Sequence, residues 1–158
     1  MNMNYAILGP GKALSDNLKQ KAKNIISETV TNVYFYDEWR LRNKKRNYSI
    51  WNENGKFSGF AIIEKPKGTR GIIQINLIGA VKGRGIGSQL LKQILVNAYD
   101  KKLGRGIRRV NLNSVTNAIP FYKKFGFKEK GTKNNNHYYM SLALPRPKPI
   151  RSDSLSIR

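Results

Sequence analysis

The sequence predicts one α/β (α+β) domain, built as a mixed, mostly antiparallel sheet flanked by helices. Three observations predict it. Residues 48–51 and 57–63 are strand candidates joined by Asn52-Glu53-Asn54-Gly55, a turn whose Asn-Gly pair supplies positive φ. A β-branched run, Ile72 to Ile78, passes through a glycine-rich loop into a helix with a broad apolar stripe, and a further strand follows. Strand, helix, strand is the pattern of a parallel crossover. Residues 127–130 and 137–144 then form a last hairpin around a polar loop.

Tyr5-Ala6-Ile7-Leu8 is a short strand closed by the turn Gly9-Pro10-Gly11. Over residues 12–28, Leu14, Leu18, Ala22, Ile25 and Ile26 line one face of a helix, which packs that stripe on the sheet. Residues 30–47 carry Tyr34, Phe35, Tyr36 and Trp39 beside the basic run Arg40, Arg42, Lys44, Lys45 and Arg46. Two readings stand there. One is a second helix burying Trp39 and Leu41 under a solvated basic face. The other is a surface on which bases stack while cations meet phosphates. Asp37 and Glu38 in the same segment are the one adjacent acidic pair in the chain.

After the first hairpin, Pro66-Lys67-Gly68-Thr69 turns the chain into a third strand, residues 70–78. The helix beyond the glycine loop shows Ile86, Leu90, Leu91, Ile94, Leu95 and Ala98 on one stripe, and Leu103-Gly104-Arg105-Gly106 ends it. Residues 109–113 are the next strand. Residues 118–125 form a short helix that tolerates Pro120 in its first turn and stops at Gly126. The folded domain is expected over residues 1–144. Residues 145–158, opening Pro145-Arg146-Pro147-Lys148-Pro149, are a basic flexible tail.

A chain of 158 residues, 39% hydrophobic, is long enough to bury a core. No apolar run has membrane-spanning length, and the first residues lack the basic and apolar regions of a signal peptide. A soluble, cytoplasmic protein without membrane contact is the expectation. The absence of cysteine excludes disulfides, thiol nucleophiles and cysteine-ligated metals, and a lone histidine, His137, excludes a histidine-rich metal centre. Thirty Lys and Arg against nine Asp and Glu leave a net charge of +21. Either the composition is simply biased to lysine, or the chain meets RNA or another polyanion and repels polycations.

The loop Lys82-Gly83-Arg84-Gly85-Ile86-Gly87-Ser88 stands where strand becomes helix. Glycines there permit positive φ and close approach, and the first N–H groups of a helix have no internal partners, so such a junction is an anion site. Lys82 and Arg84 add positive charge. No Gly-Lys-Ser/Thr ending follows, which argues against a P-loop. The glycine spacing, with no acidic residue at the right distance, argues against a dinucleotide fold.

Two stretches resemble the signature motifs of the GCN5-related N-acetyltransferase family. Lys82-Gly83-Arg84-Gly85-Ile86-Gly87 is similar to that family's pyrophosphate loop for acetyl-CoA. Ala118-Ile119-Pro120-Phe121-Tyr122-Lys123-Lys124-Phe125-Gly126-Phe127 is similar to its Ala-x-x-Phe-Tyr-x-x-x-Gly-Phe segment. Order and separation of the two match the family, and the resemblance spans about residues 5–144. Lys82 stands where Arg or Gln is usual. Val115 stands where the family often has an asparagine for pantetheine, so that Asn113 or Asn117 is the substitute.

The resemblance implies an acyl-CoA N-acyltransferase fold whose central parallel strands splay apart at the cofactor. It implies direct acetyl transfer from acetyl-CoA to a primary amine, without a metal. Residues 82–88 and Phe121 would hold the cofactor, and a backbone N–H near Leu77 and Ile78 would meet the oxyanion. Tyr122 would be the general acid for the CoA sulfur, since a phenol of ordinary pKa about 10 stays protonated at neutral pH. The central strand offers Gln74 and Asn76 but no carboxylate. Glu64 is therefore the candidate base, ahead of Glu38 and His137. The charge favours an acceptor amine carried on a polyanion, such as aminoacyl-tRNA, over a polyamine, small-amine or protein acceptor. A non-catalytic nucleic-acid-binding or virion-associated module on the same scaffold is the reading outside enzymology. Either a monomer or a homodimer is compatible with the sequence.

Overall fold

The computed structural model describes residues 5–8, 15–29, 47–66, 68–81, 83–133 and 137–145. The elements run β1 (Tyr5–Leu8), α1 (Asp16–Thr29), β2 (Asn47–Glu53), β3 (Lys56–Glu64), β4 (Ile72–Ala80), α2 (Ile86–Tyr99), β5 (Arg109–Val115), a 3₁₀ turn (Thr116–Ala118), α3 (Ile119–Lys124), β6 (Lys128–Lys133) and β7 (His137–Ala143). Among the described residues one seven-stranded sheet holds the strands in the order β1-β2-β3-β4-β5-β7-β6. Every neighbouring pair is antiparallel except β4 with β5, the pair joined through α2. The mixed, mostly antiparallel sheet expected from the sequence is therefore the one observed. The aromatic and basic segment at 30–46, with Glu38, and the tail from 146 onward lie outside the described residues. No helix among the described residues is long and apolar enough to cross a membrane, which says nothing of a strand-built barrel.

Two apolar layers sandwich the sheet. On one face Ala22 of α1 packs with Ile50, Phe60, Ile62 and Leu77. On the other, α2 buries Leu90, Leu91, Ile94 and Ala98 against Trp51, Ile63, Ile73, Ile75, Val110 and Met140. The alternation of apolar residues along each strand divides the two layers. The first hairpin turns as its sequence dictates, with Asn54 at φ 52° and Gly55 at φ 74°.

Several boundaries differ from expectation. β4 begins at Ile72, because Gly71, at φ 75°, makes the entry bend and its carbonyl accepts the N–H groups of both Arg108 and Arg109. It runs on to Ala80, because Gly79 and Ala80 keep their pairing with Phe60 and Gly59, so the expected link at 78–80 is strand. α2 ends at Tyr99 and not at the Gly104 region. Lys101 takes the left-handed conformation at φ 66°, and the Lys102 N–H closes onto the Asn97 carbonyl. A lysine there gives no sequence signal for a stop. The short helix at 118–125 starts as a 3₁₀ turn and is α-helical over Ile119–Lys124.

A polar contact ties β1 to the rest. The Tyr5 hydroxyl lies 2.7 Å from the Ser49 hydroxyl, inside the sheet–α2 interface. Burial pushes the Tyr5 phenol above its ordinary value, partly opposed by hydrogen bonds with Ser49 and Asn97. A raised phenol pKa means the stabilisation is complete below pH about 10 and lost as pH climbs from there through the higher folded value. Urea unfolding at pH 9 and pH 11 should therefore show a larger loss for the wild type than for Tyr5→Phe. Equal losses would contradict the buried, neutral phenol.

Candidate active site

The site is built around a fault in β4. Ile62 pairs with Leu77 but Ile63 pairs with Ile75, so Asn76 is an extra residue opposite β3. A bulge of this kind bends its strand and re-aims the side chains beyond it. Here Ile73 and Ile75 join the α2-side core and Leu77 the α1-side core, after which Ile78 and Ala80 return to the α2 side. Parallel pairing with β5 covers only Ile72–Ile75 against Arg109–Leu112. Beyond Leu112, β5 pairs with β7, while β4 beyond Ile75 pairs with β3. The two central strands therefore part just past the bulge.

The Asn76 side-chain amide donates to the Glu64 carboxylate at 2.7 Å. Glu64 ends β3, half-buried, beside the parting strands. Sequence reasoning picked Glu64 but missed Asn76 as its partner. The available signal was an asparagine, a poor strand former, inside a β-branched run.

The glycine loop follows β4. Gly83 and Gly85 have positive φ, and Gly85 is the left-handed N-cap of α2. A Cβ at either position would meet nothing within 4 Å, so glycine is there for conformation and leaves open space. The first helical bond runs from the Gln89 N–H to the Gly85 carbonyl at 3.1 Å. The N–H groups of Ile86, Gly87 and Ser88 thus precede the helical ladder and have no partner within it. Ile86 is buried, its side chain anchored in the core. Arg84 and Ser88 are exposed; Lys82 lies outside the described residues.

The second motif comes to the same place. α3 brings the Phe121 ring against the start of α2, where its Cζ would lie 3.9 Å from a Cβ on Gly87. The rings of Phe121 and Tyr122 meet edge-on, 5.1 Å between centroids, and Tyr122 meets Phe127 at 5.8 Å. Tyr122 is 8% exposed and belongs to the core cluster. Gly126, at φ 95°, and the Phe127 N–H bonded to the Tyr122 carbonyl close the helix.

Asn113 and Asn117 are exposed, on β5 and in the 3₁₀ turn beyond the parting. His137 opens β7 opposite Val115, its side chain outside the described residues. Among the described residues no group of three or more His, Cys, Asp or Glu could hold a metal ion.

A family model described as the acetyltransferase (GNAT) family matches residues 11–127, well over half of the chain. The chain belongs to this family. It is an acetyl-CoA-dependent N-acetyltransferase of the acyltransferase fold. No curated protein sequence matches it. Among solved structures, Tetrahymena GCN5 superposes with a TM-score of 0.72 at 15% identity, over 90% of this chain and 97% of that one. The ribosomal-protein-S18-alanine N-acetyltransferase of Escherichia coli gives 0.65 at 16% identity, over 93% and 99%. N-acetylglutamate synthase of Neisseria gonorrhoeae, complexed with coenzyme A and N-acetyl-glutamate, gives 0.64 at 19% identity, over 92% of this chain but 36% of that one. At these identities the likeness is one of fold.

Gly59 of β3 sits under the start of α2. A Cβ there would meet Ile86 Cγ2 at 3.0 Å, with Leu90 Cδ2 and Trp51 Cβ each at 3.3 Å. All three neighbours are buried, with no room to give. Gly59→Ala is expected to cost about 1–3 kcal/mol in a urea titration. An unchanged midpoint would mean that the helix start is not held against β3.

Proposed function

We propose that this acetyltransferase moves acetyl from acetyl-CoA directly to a primary amine presented by an anionic carrier, aminoacyl-tRNA being the type case. The observation that supports the cofactor reading is a single convergence. The first turn of α2, the Phe121-Tyr122 pair and the parted ends of β4 and β5 meet at one place. Acetyl-CoA fits those residues chemically, because open glycine backbone at a helix start suits its pyrophosphate. Parted strand edges suit its pantetheine amides.

The cofactor supplies an acetyl thioester, whose C–S bond breaks as the C–N bond to the amine forms. In this reading residues 83–88 donate backbone N–H groups to the pyrophosphate, with Lys82 and Arg84 adding charge. Phe121 walls the pantetheine side, and Asn113 or Asn117 hydrogen-bonds the arm. A backbone N–H near Leu77 or Ile78 meets the carbonyl oxygen as it gains negative charge. Glu64, held by Asn76, takes the proton that the amine must lose. Tyr122 donates its phenolic proton to the leaving sulfur.

The support for the acceptor class is the charge. A +21 protein repels polyamines, whereas an α-amine on an RNA is drawn in by the rest of the molecule.

Release of CoA thiol from acetyl-CoA measures the reaction. Tyr122→Phe preserves the packing and should lower kcat by about 100-fold or more, with KM for acetyl-CoA nearly constant. Glu64→Gln keeps an acceptor for Asn76 and should lower kcat by about 100-fold, with KM for acetyl-CoA nearly constant. Wild-type turnover in either variant removes that residue's role. Across an acceptor series, aminoacyl-tRNA should exceed spermidine and basic peptides in kcat/KM. A preference for spermidine overturns the acceptor assignment.

A further inference from the structure

The opposite end of β4 carries a second concentration of chemistry that acetyl transfer does not use. Two adjoining depressions, about 400 and 440 Å³, share Arg70, Gly71, Ile72 and Arg108 in their walls. Arg109 completes one, and Lys65 and Arg105 the other. Five cations thus line one continuous feature, and among the described residues neither depression has an Asp or Glu in its wall. From Ile72 to Ala80 the strand spans about 26 Å, so this feature lies well away from the glycine loop.

The cations are held there by the backbone. The Gly71 carbonyl accepts the Arg108 N–H at 2.6 Å and the Arg109 N–H at 3.0 Å. The Arg108 carbonyl in turn accepts the Leu144 N–H at 2.8 Å. Arg108 lies across Gly71, where a Cβ would come within 2.9 Å of its Nε. Lys65 lies across Gly104, where a Cβ would collide with its ammonium group. Arg109 is steadied by a hydrogen bond from Nη1 to the Ser141 hydroxyl at 3.0 Å. Two glycines therefore make room for two cations, and two loops converge to concentrate like charge. That arrangement destabilises the free protein and is relieved by an anion.

We propose that this cleft between the β3–β4 turn and the α2–β5 loop binds the phosphodiester backbone of a nucleic acid. Four of its five cations are arginines, whose planar forks match phosphate oxygens. Two depressions side by side suit successive phosphates better than one small anion. Among the described residues the walls hold no aromatic ring, so the contact is with backbone and not with stacked bases. They also hold none of the exposed large apolar residues, Val81, Val96 and Tyr99, which a membrane-inserting surface would need here. The site goes beyond acetyl transfer, and its occupancy does not depend on that chemistry.

Fluorescence anisotropy with a labelled, unstructured 20-nucleotide RNA, and with DNA of the same sequence, tests it over a potassium chloride series. Arg70→Ala/Arg108→Ala should bind about tenfold more weakly than the wild type, and its salt slope should be lower by about 0.7 per cation removed. The tighter of the two probes identifies the source of the backbone. Lys21→Ala/Lys56→Ala removes the same charge from exposed positions on α1 and at the far end of β3, and should change both quantities much less. Equal losses in the two double variants would reduce the effect to net charge and overturn the site. Full competition by inorganic phosphate at equal phosphate concentration would make it a small-anion site and also overturn it, as would tighter binding to phosphatidylserine vesicles than to either probe. Circular dichroism melts of each variant check the fold, and Arg70→Lys/Arg108→Lys should recover most of the affinity. None of these readouts uses acetyl-CoA, so a failure here leaves the acetyl-transfer reading standing.

Discussion

The extra residue in β4 is the constraint on which the rest of the site depends. A regular strand would keep Ile73, Ile75 and Leu77 on one face and continue pairing with β5. Inserting Asn76 sends Leu77 to the α1 side and returns Ile78 and Ala80 to the α2 side. Each of those residues has an apolar destination, so the bulge is fixed by two cores at once. Its cost is a ladder that ends at Ile75 and Leu112, which leaves facing strand edges open to a ligand. The same insertion carries Asn76 to Glu64 and so puts a carboxylate beside the opening.

Where β4 ends then decides where α2 begins. The Val81 N–H is bonded to the Ser58 carbonyl at 2.9 Å, and Ile86 is seated on Gly59. Between these two anchors the chain has only the glycine loop in which to reverse, and Gly85 does so in the left-handed region. The helix start is thus aimed by core packing at both ends of the loop. α3 is fixed to the same place through Phe121 at Gly87 and the aromatic cluster behind it. Both motifs are local in sequence, but their meeting is a property of the sheet order.

Local chemistry explains what was legible in the sequence. The Asn-Gly turn, the strand–glycine–helix junction and the Pro120 to Gly126 helix announce themselves through residue types with restricted backbones. So does the parallel crossover, because a helix between two strands allows few other connections. The bulge does not announce itself. Asn76 reads as one polar residue in a strand, and its effect depends on which partner residues β3 offers across the sheet. The end of α2 was hidden for a related reason, since Lys101 adopts a conformation that its side chain does not advertise. Glu64 was found by eliminating other carboxylates, while its contact to Asn76 depends on register alone.

The charge follows a different logic from the fold. Nine acidic residues can neutralise at most nine of thirty cations, so at least twenty-one have no carboxylate of their own in the chain. Spread over the surface, such charges cost little. Exposed pairs such as Lys123 with Glu129, at 2.9 Å, contribute correspondingly little. Gathering Arg70, Arg105, Arg108 and Lys65 where two loops meet is another matter, because like charges at close range repel. The backbone bonds of Gly71 to Arg108 and Arg109, and the glycines under Lys65 and Arg108, hold the cluster together against that repulsion. A structure that keeps like charges together at one end of its central strand, and opens that strand at the other, has two sites with different tasks. As proposed, the first attracts a polyanion by its field and the second works by local geometry. Along β4 from Ile72 the bulge at Asn76 lies about 13 Å away and the start of the glycine loop about 26 Å away.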